Sequence, residues 1–213
     1  MPRPAPARTV LGSCHGVIPL EGRGALPFTP LRGRPLLHHA VETLRSVCEV
    51  TVTVEPERAE EARAAVPDGV ALSSPGAFWA QPPSRVLLHD CLCPLVPAGF
   101  LRAIADRNSP AAAYRPVTDT LKDVDGDVVG GTVDRERFGV LTSPVLLLDL
   151  TQRPPTEDLA RLVTWLRRRG PVDLVRSPPL GRRAVDHASV RLLECLDVVE
   201  HSGASSSARW DRR

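Results

Sequence analysis

The sequence almost lacks lysine: Lys122 is the only one among 213 residues, and the other basic residues are arginines. Mechanisms that require several lysines are therefore excluded. Aromatic residues are also scarce, at 4% of the chain. No apolar run approaches the ~20 residues that a membrane-spanning helix needs. We therefore expect no association with a membrane.

A large excess of charge of one sign is also missing. Lysine and arginine number 27 against 25 aspartates and glutamates, which gives a formal net charge of +2. A nucleic-acid-binding domain usually carries a clear basic excess on one face, so we exclude a nucleic-acid partner. Hydrophobic residues at 42% and charged residues at 24% are ordinary for a globular protein with one core.

The five cysteines do not form the pattern of a disulfide framework. Their number is odd and they are scattered along the chain, so we expect reduced thiols. The N-terminal MPRPAPART contains arginine but no apolar run after it. We therefore expect no secretory signal and a cytoplasmic location.

Short apolar strands alternate with amphipathic helices along most of the chain. VIPLEGRG predicts a strand that runs into a glycine turn, PLLHHAVETLRSV a helix, EVTVTVEP a strand, and SRVLLHD a buried strand. This alternation predicts an α/β fold with a mostly parallel sheet and helices on both faces. We predict a flexible extension over 1–13, one domain over 14–199, and a disordered tail over 200–213.

Three further segments have local signals. SSPGAFWAQPPS is rich in proline and has no period, so we expect a loop. TLKDVDGDVVGGTV predicts a hairpin, with a turn at Asp125-Gly126 and a kink at Gly130-Gly131. Thr156 is the expected N-cap of the helix in TEDLARLVTWLRRR. His89 and Asp90 follow a predicted buried strand, and ligands bind at the carboxyl ends of parallel strands.

Several segments, in the same order, resemble one known family. They are VIPLEGRG, PLRGRPLLHHAV, VLLHDCLCPLVP, RPVTDTLKDVDGDVVGGTVDRERF and TSP. Over roughly residues 14 to 197 the chain resembles the methylerythritol-phosphate cytidylyltransferases and their polyol-phosphate relatives. The resemblance implies a Rossmann-like nucleotidyltransferase fold with a protruding β-arm, about 118–138, that pairs two copies as a homodimer. The implied reaction transfers CMP from CTP to a sugar-alcohol phosphate, with Mg²⁺ as cofactor.

On the nucleotide side the family motifs are only partly present. The resemblance assigns Gly22 and Gly24 to the loop that wraps the triphosphate, but Leu26 stands at the arginine position of that loop and the loop lysine is missing. The segment that reads the base in the family keeps one glycine, Gly76. A plain strand-to-helix turn that binds no phosphate is the alternative interpretation.

The HDCLCP segment stands where the family has its metal-binding aspartate. The resemblance assigns Asp90 a catalytic role and the binding of Mg²⁺, while Cys93 stands at an arginine position. His89, Cys91 and Cys93 could instead form a soft-metal or redox site. Cysteines that simply pack a strand end are the alternative.

The arm and the last loop supply the remaining assigned residues. The resemblance gives Thr120, Arg135 and Ser143 to the acceptor phosphate, with Thr142 as the alternative to Ser143, and gives Arg183 the catalytic position of a family lysine. The arm could equally be retained because it builds the dimer. Arg183 could lie in a solvated basic loop.

Three functional hypotheses follow from the resemblance. The first is a divergent cytidylyltransferase with degraded nucleotide motifs. The second is a catalytically inactive homologue that acts as a dimeric binding or regulatory protein. The third is a nucleotidyltransferase that takes a different nucleotide or acceptor. Loss of cations around the triphosphate favours impaired activity, because each such cation stabilises the transition state by a few kcal/mol.

Overall fold

The structure is a computed structural model that describes residues 13–150 and 153–207, with the backbone alone described over 199–207. The strands are β1 (His15–Pro19), β2 (Pro30–Leu31), β3 (Arg34–Pro35), β4 (Glu49–Thr53), β5 (Ala71–Ser73), β6 (Arg85–Leu88), β7 (Ala111–Pro116), β8 (Leu121–Asp125), β9 (Val128–Val133), β10 (Gly139–Leu148) and β11 (Asp173–Arg176). The helices are α1 (Leu36–Arg45), α2 (Ala59–Ala65), α3 (Pro75–Ala80), α4 (Ala98–Ala105), α5 (Leu159–Arg167) and α6 (His187–Ser207).

Seven strands form one sheet in the order β11-β7-β10-β6-β1-β4-β5. All neighbouring pairs are parallel except those of β10, which runs antiparallel to β6 and to β7. The predicted α/β fold with a mostly parallel sheet is therefore confirmed. The central strands have apolar residues on both faces, as at Val17-Ile18 and Leu87-Leu88, because helices cover both faces of the sheet.

Alternate residues of the central strands divide the core into two layers. Ile18 and Leu87 pack on one face with α1, α2, α4 and α6, whereas Val17 and Leu88 pack on the other with α3 and α5. This follows from the twofold alternation of side chains along a strand. Within the described residues, no helix is both long enough and apolar enough to cross a membrane.

The predicted hairpin is present and stands apart from the main sheet. β8 and β9 form a two-stranded sheet of their own between β7 and β10, which we call the arm. Gly126 has a φ of 58° at the expected turn. Lys122 pairs with Thr132 and Val124 with Val129, so Asp123 faces both Gly130 and Gly131 in a bulge where the kink was expected.

Two local predictions are wrong. The segment predicted as a loop contains α3, because Ser74 caps it by accepting a hydrogen bond from the backbone N–H of Ala77 and Pro75 occupies the first turn, where no N–H is required. The N-cap of α5 is Asp158 rather than Thr156, since the helix starts at Leu159 and Asp158 accepts from the backbone N–H of Arg161.

The ends of the chain were predicted to be an extension and a tail. Residues 1–12 lie outside the described residues. The backbone of α6 continues to Ser207, within the segment 200–213 of the predicted tail, and residues 208–213 lie outside the described part of the chain.

Candidate active site

Asp90 lies directly beyond the carboxyl end of β6, in the middle of the sheet. The backbone N–H of His89 donates to the carbonyl of Val17 at 2.8 Å, so the pairing of β6 with β1 continues one residue past the strand. His89 and Asp90 are both fully buried. The structure therefore places Asp90 at the position where ligands approach a parallel sheet, as the sequence predicted.

Two guanidinium groups hold the carboxylate of Asp90. Arg23 Nε lies 3.1 Å from Oδ1 and Arg183 Nε lies 2.8 Å from Oδ2, while the backbone N–H of Leu92 donates to Oδ1 at 3.1 Å. Burial alone would raise the pKa of Asp90, but the charges of Arg23 and Arg183 outweigh it and the pKa lies below its ordinary value. Asp90 is therefore ionised at neutral pH.

Arg23 belongs to the predicted glycine turn, between two glycines with positive φ of 70° and 58° at Gly22 and Gly24. Its Nη1 donates to the carbonyl of Glu21 at 3.1 Å and its Nη2 to the carbonyl of Glu157 at 3.3 Å. All three nitrogens are thus used within the chain. Sequence analysis missed this residue because a variable position between two glycines has no spacing signal of its own.

Arg183 is placed differently from Arg23. Asp90 fixes only its Nε, and Nη1 and Nη2 have no hydrogen-bond partner among the described residues. Its side chain is 35% exposed and lies between a cavity of about 390 Å³ and a second cavity of about 340 Å³. Arg183 is therefore the cation of this cluster that is oriented toward open space.

Ser143 lies on β10 beside the end of β6. It is fully buried, with Oγ 2.5 Å from Nδ1 of His89 and accepting the backbone N–H of Asp90 at 2.8 Å. Thr142, its alternative, lines the 390 Å³ cavity. Ser143 thus holds the end of β6 in place through its hydrogen bonds to His89 and Asp90. Of the two hydroxyl residues, it is Thr142 that borders a cavity.

Thr120 and Arg135 are both exposed near the base of the arm. Arg135 Nη1 donates to the carbonyl of Thr118 at 2.6 Å, and Lys122 Nζ donates to Thr132 within the arm at 2.8 Å. Across the described chain, no hydrogen bond or ion pair joins Thr120, Arg135 and Ser143. The grouping of Thr120, Arg135 and Ser143 around the acceptor phosphate therefore stays a prediction from the resemblance.

The carboxylate of Asp90 does not fit the predicted Mg²⁺ as it stands. Mg²⁺ requires free oxygen ligands in octahedral arrangement, whereas both oxygens of Asp90 already accept charge-assisted hydrogen bonds. The described residues contain no cluster of three or more His, Cys, Asp or Glu that could hold a metal ion. Mg²⁺ therefore stays a prediction from the resemblance.

Cys91 and Cys93 are core residues. Both are completely buried and pack in the same core layer as Leu92 and Val96. Burial raises the pKa of Cys93 to about 12 and that of Cys91 well above its ordinary value. Because the thiolate is the reactive and metal-binding form, the geometry favours the packing interpretation over a soft-metal or redox site.

A buried carboxyl group beside α3 is a second feature that sequence analysis missed. Glu157 Oε1 accepts a hydrogen bond from Trp79 Nε1 at 2.6 Å, and its Oε2 has no partner in the described structure. Burial raises the pKa of Glu157 above its ordinary value. Since the Glu157 carbonyl also accepts from Arg23, α3 and the glycine turn are connected through this residue.

Known proteins similar to this chain were found by sequence and by structure, although no sequence-family profile matches it. The 2-C-methyl-D-erythritol 4-phosphate cytidylyltransferase of Halorhodospira halophila is 41% identical over 71 residues, which cover 32% of this chain and 29% of that protein. The enzyme of that name from Thermus thermophilus is 30% identical over 131 residues, or 58% of this chain and 62% of that protein. The matched segments thus span less than two thirds of either relative.

Solved structures are similar over more of the chain. The crystal structure of the Thermus thermophilus cytidylyltransferase has a TM-score of 0.67 at 25% identity and covers 85% of this chain and 97% of that one. A 4-diphosphocytidyl-2C-methyl-D-erythritol synthase has a TM-score of 0.69 at 16% identity, which shows the shared fold, and covers 87% and 99%. The chain is therefore similar to the 2-C-methyl-D-erythritol 4-phosphate cytidylyltransferases in sequence over part of its length and in fold over most of it.

Proposed function

We propose that this chain transfers CMP from CTP to a sugar-alcohol phosphate, and that it does so much more slowly than its relatives. The observation that carries the proposal is the position of Arg183. Its Nε is held 2.8 Å from Asp90 at the carboxyl end of β6, and its two Nη groups face open space between two cavities. A guanidinium oriented in this way is suited to phosphate oxygens.

In this proposal Arg183 contacts the transferring or acceptor phosphate and is the catalytic cation. Asp90 is a positioning residue, because it orients Arg183 and Arg23 without free oxygens of its own. The backbone of the Gly22–Gly24 turn offers N–H groups to the triphosphate. Thr120 and Arg135 approach the acceptor from the arm of a second copy.

The missing cations support the slow rate. Leu26 and Cys93 stand where the resemblance places arginines, and Glu21 brings a negative charge to the glycine turn. Removing one preorganised donor from a developing charge typically costs about 3 kcal/mol, or about a hundredfold in rate. Arg23 does not make up the loss, since all its nitrogens are engaged within the chain.

A binding protein without turnover is the second candidate. It is favoured by one observation, the engagement of both Asp90 oxygens by arginines, which leaves no carboxylate ligand for a metal ion on the phosphates. In this candidate the same edge of the sheet binds a phosphate-bearing molecule and the arm pairs two copies. The exposed Val124, Val128 and Val129 of the arm are consistent with a partner surface that covers them.

The test is an assay of pyrophosphate release from CTP and methylerythritol phosphate in the presence of Mg²⁺, beside the Thermus thermophilus enzyme. We expect turnover at least about a thousandfold slower than that of the relative, and lost in Arg183→Gln. Arg176→Gln, an exposed arginine on β11, is the matched control. Turnover near the relative's rate would show that the site is not impaired. No turnover, together with stabilisation by either substrate, supports the binding protein.

A panel of nucleotides in a thermal-shift assay tests base selectivity, which is the third hypothesis. The segment that reads cytosine in the family is replaced here by the short helix α3 and its Trp79–Glu157 hydrogen bond. Stabilisation by CTP alone supports the proposed reaction. Stabilisation by ATP or GTP but not by CTP would favour a changed nucleotide.

A further inference from the structure

The larger of the two cavities beside Arg183 is lined by three arginines. Arg115 comes from β7, while Arg182 and Arg183 come from the loop before α6. The cavity has a volume of about 390 Å³, which is in the range of small-molecule sites. Arg183 is already compensated by Asp90, so the other charged residues of the lining are two arginines and one carboxylate, Asp119.

Arg115 and Arg182 have no counter-ion within the described part of the chain, where neither makes an ion pair or a side-chain hydrogen bond. Burial lowers the pKa of Arg115, and the neighbouring charge of Arg182 lowers it further. Asp119 also lines the cavity, yet it forms no ion pair with either arginine. Two like charges held together in a partly buried cavity favour the entry of an anion.

Thr142 provides an independent sign of a ligand. It belongs to the cavity lining, it is 2% exposed, and its Oγ1 has no hydrogen-bond partner among the described residues. A buried hydroxyl without a partner is unfavourable and is usually satisfied by water or a bound group. Two unpaired guanidiniums and an unpaired hydroxyl in one cavity form the donor set that a phosphate group requires.

We propose that this cavity binds the phosphate of a phosphomonoester through Arg115, Arg182 and Thr142, all within one protomer. The inference rests on the proposed function in taking that ligand to be the acceptor, a sugar-alcohol phosphate. It adds Arg115 and Arg182 to the residues assigned to the acceptor, in a cavity that Thr118 and Asp119 also line at the base of the arm. Arg183, at the wall that the two cavities share, faces the same phosphate from the side of Asp90.

The experiment is isothermal titration calorimetry of the full chain with methylerythritol phosphate and, separately, with inorganic phosphate, without CTP or added metal. We expect Arg115→Gln and Arg182→Gln each to weaken the binding of methylerythritol phosphate about tenfold, which is about 1.4 kcal/mol. Thr142→Val should weaken it by a smaller factor. The exposed Arg176→Gln matches the change of charge and should leave the affinity unchanged.

A variant of the arm tests the alternative position of the phosphate. If Arg135→Gln abolishes binding while Arg115→Gln and Arg182→Gln bind like the wild type, the phosphate lies at the arm and the proposal is wrong. Binding of inorganic phosphate as tightly as the phosphomonoester would overturn the assignment of ligand class. Arg115→Lys keeps the positive charge at this half-buried position. If it binds methylerythritol phosphate more tightly than Arg115→Gln does, the loss in Arg115→Gln comes from a lost contact and not from a folding defect.

The outcomes for the cavity and for the reaction can be distinguished. Binding that depends on Arg115 and Arg182, in a chain that releases no pyrophosphate, supports the cavity and contradicts CMP transfer. If Arg115→Gln and Arg182→Gln change neither turnover nor the affinity for methylerythritol phosphate, the proposed phosphate site in this cavity is wrong. Turnover then supports CMP transfer with the acceptor phosphate bound elsewhere.

Discussion

Arg23 Nε lies 3.1 Å from Oδ1 of Asp90, although 67 positions separate the two residues in the sequence. The side chain of Asp90 is 1% exposed and that of Arg23 8%, so this ion pair is screened little by solvent. With Arg183 on the other oxygen, the cluster has two positive charges around one negative charge. The ion pairs within the chain therefore fix the charge state of Asp90 and the orientation of both arginines before any ligand binds.

Asp90→Asn is expected to destabilise the fold. The substitution leaves Arg23 nearly buried without an opposite charge, and removing one partner of a buried pair typically costs about 3–5 kcal/mol. Urea denaturation measures the loss, with Asp127→Asn in the exposed turn of the arm as control, where we expect a change within about 0.5 kcal/mol. Equal stability of the two variants would contradict the description of Asp90 as a buried, ionised group.

The wild-type protein is expected not to bind Mn²⁺, used as a spectroscopic substitute for Mg²⁺, because both oxygens of Asp90 are taken by arginines. Arg183→Gln should expose one of those oxygens and allow weak binding. Electron paramagnetic resonance of free Mn²⁺ measures both. Stoichiometric binding by the wild type that disappears in Asp90→Asn would restore the predicted metal site.

His89 is expected to make the fold sensitive to mild acid. Burial lowers its pKa from 6.5 to about 4, against the opposing effect of Asp90. The unfolded chain therefore binds a proton at a higher pH than the folded one, and stability falls as the pH drops from 6.5 toward 4, by an amount on the order of 3 kcal/mol. Denaturation midpoints of the wild type and His89→Gln across this range measure the effect. The loss of stability between pH 6.5 and 4 should be clearly smaller in the variant, and parallel curves would exclude His89 as the cause.

Glu157 is expected to act in the opposite direction. Burial raises its pKa above the ordinary 4.5, so the folded state binds the proton more tightly and stability is lost as the pH rises from 4.5 through the raised value. Glu157→Gln keeps an oxygen for Trp79 Nε1 and does not ionise. The variant should match the wild type near pH 4 and be the more stable of the two at pH 8. A difference that does not change with pH would contradict the raised pKa.

The arm is expected to hold two copies together. Val124, Val128 and Val129 are each more than half exposed on a two-stranded sheet that has no core of its own, and such a hairpin is marginally stable alone. Solution scattering at micromolar concentration should give the mass of a dimer, and Val129→Glu the mass of a monomer. Leu174→Glu, an exposed apolar position on β11, should stay dimeric. A monomeric wild type would exclude the dimer.

The alternating strands and helices were predictable because their signal is local and periodic. Leu87 and Leu88 both had to be apolar in a sheet covered on two sides, and this is visible in the sequence alone. α3 was not predictable from proline content, because Pro75 is compatible with a helix only at its first turn and Pro82 follows its end. One capping residue, Ser74, decided the outcome.

The site was only partly predictable. Asp90 and Arg183 could be placed by motif and order, since both lie in segments that resemble the family. Arg23 and Arg115 could not, because their importance comes from distances across the fold and from the lack of partners in three dimensions, and Thr142 was predicted only as the alternative to Ser143. The sequence alone does not show whether an arginine side chain lines a cavity without a partner or is solvated at the surface.

The position of the arm between β7 and β10 has a structural consequence. These strands are antiparallel neighbours, and Pro116 lies opposite Gly139 in their register. The arm is therefore an enlarged tip of one hairpin. A tight two-residue turn could replace it without altering any pairing in the seven-stranded sheet. The pairing of the seven-stranded sheet is thus independent of the arm, so the arm could change its length without a change of the fold.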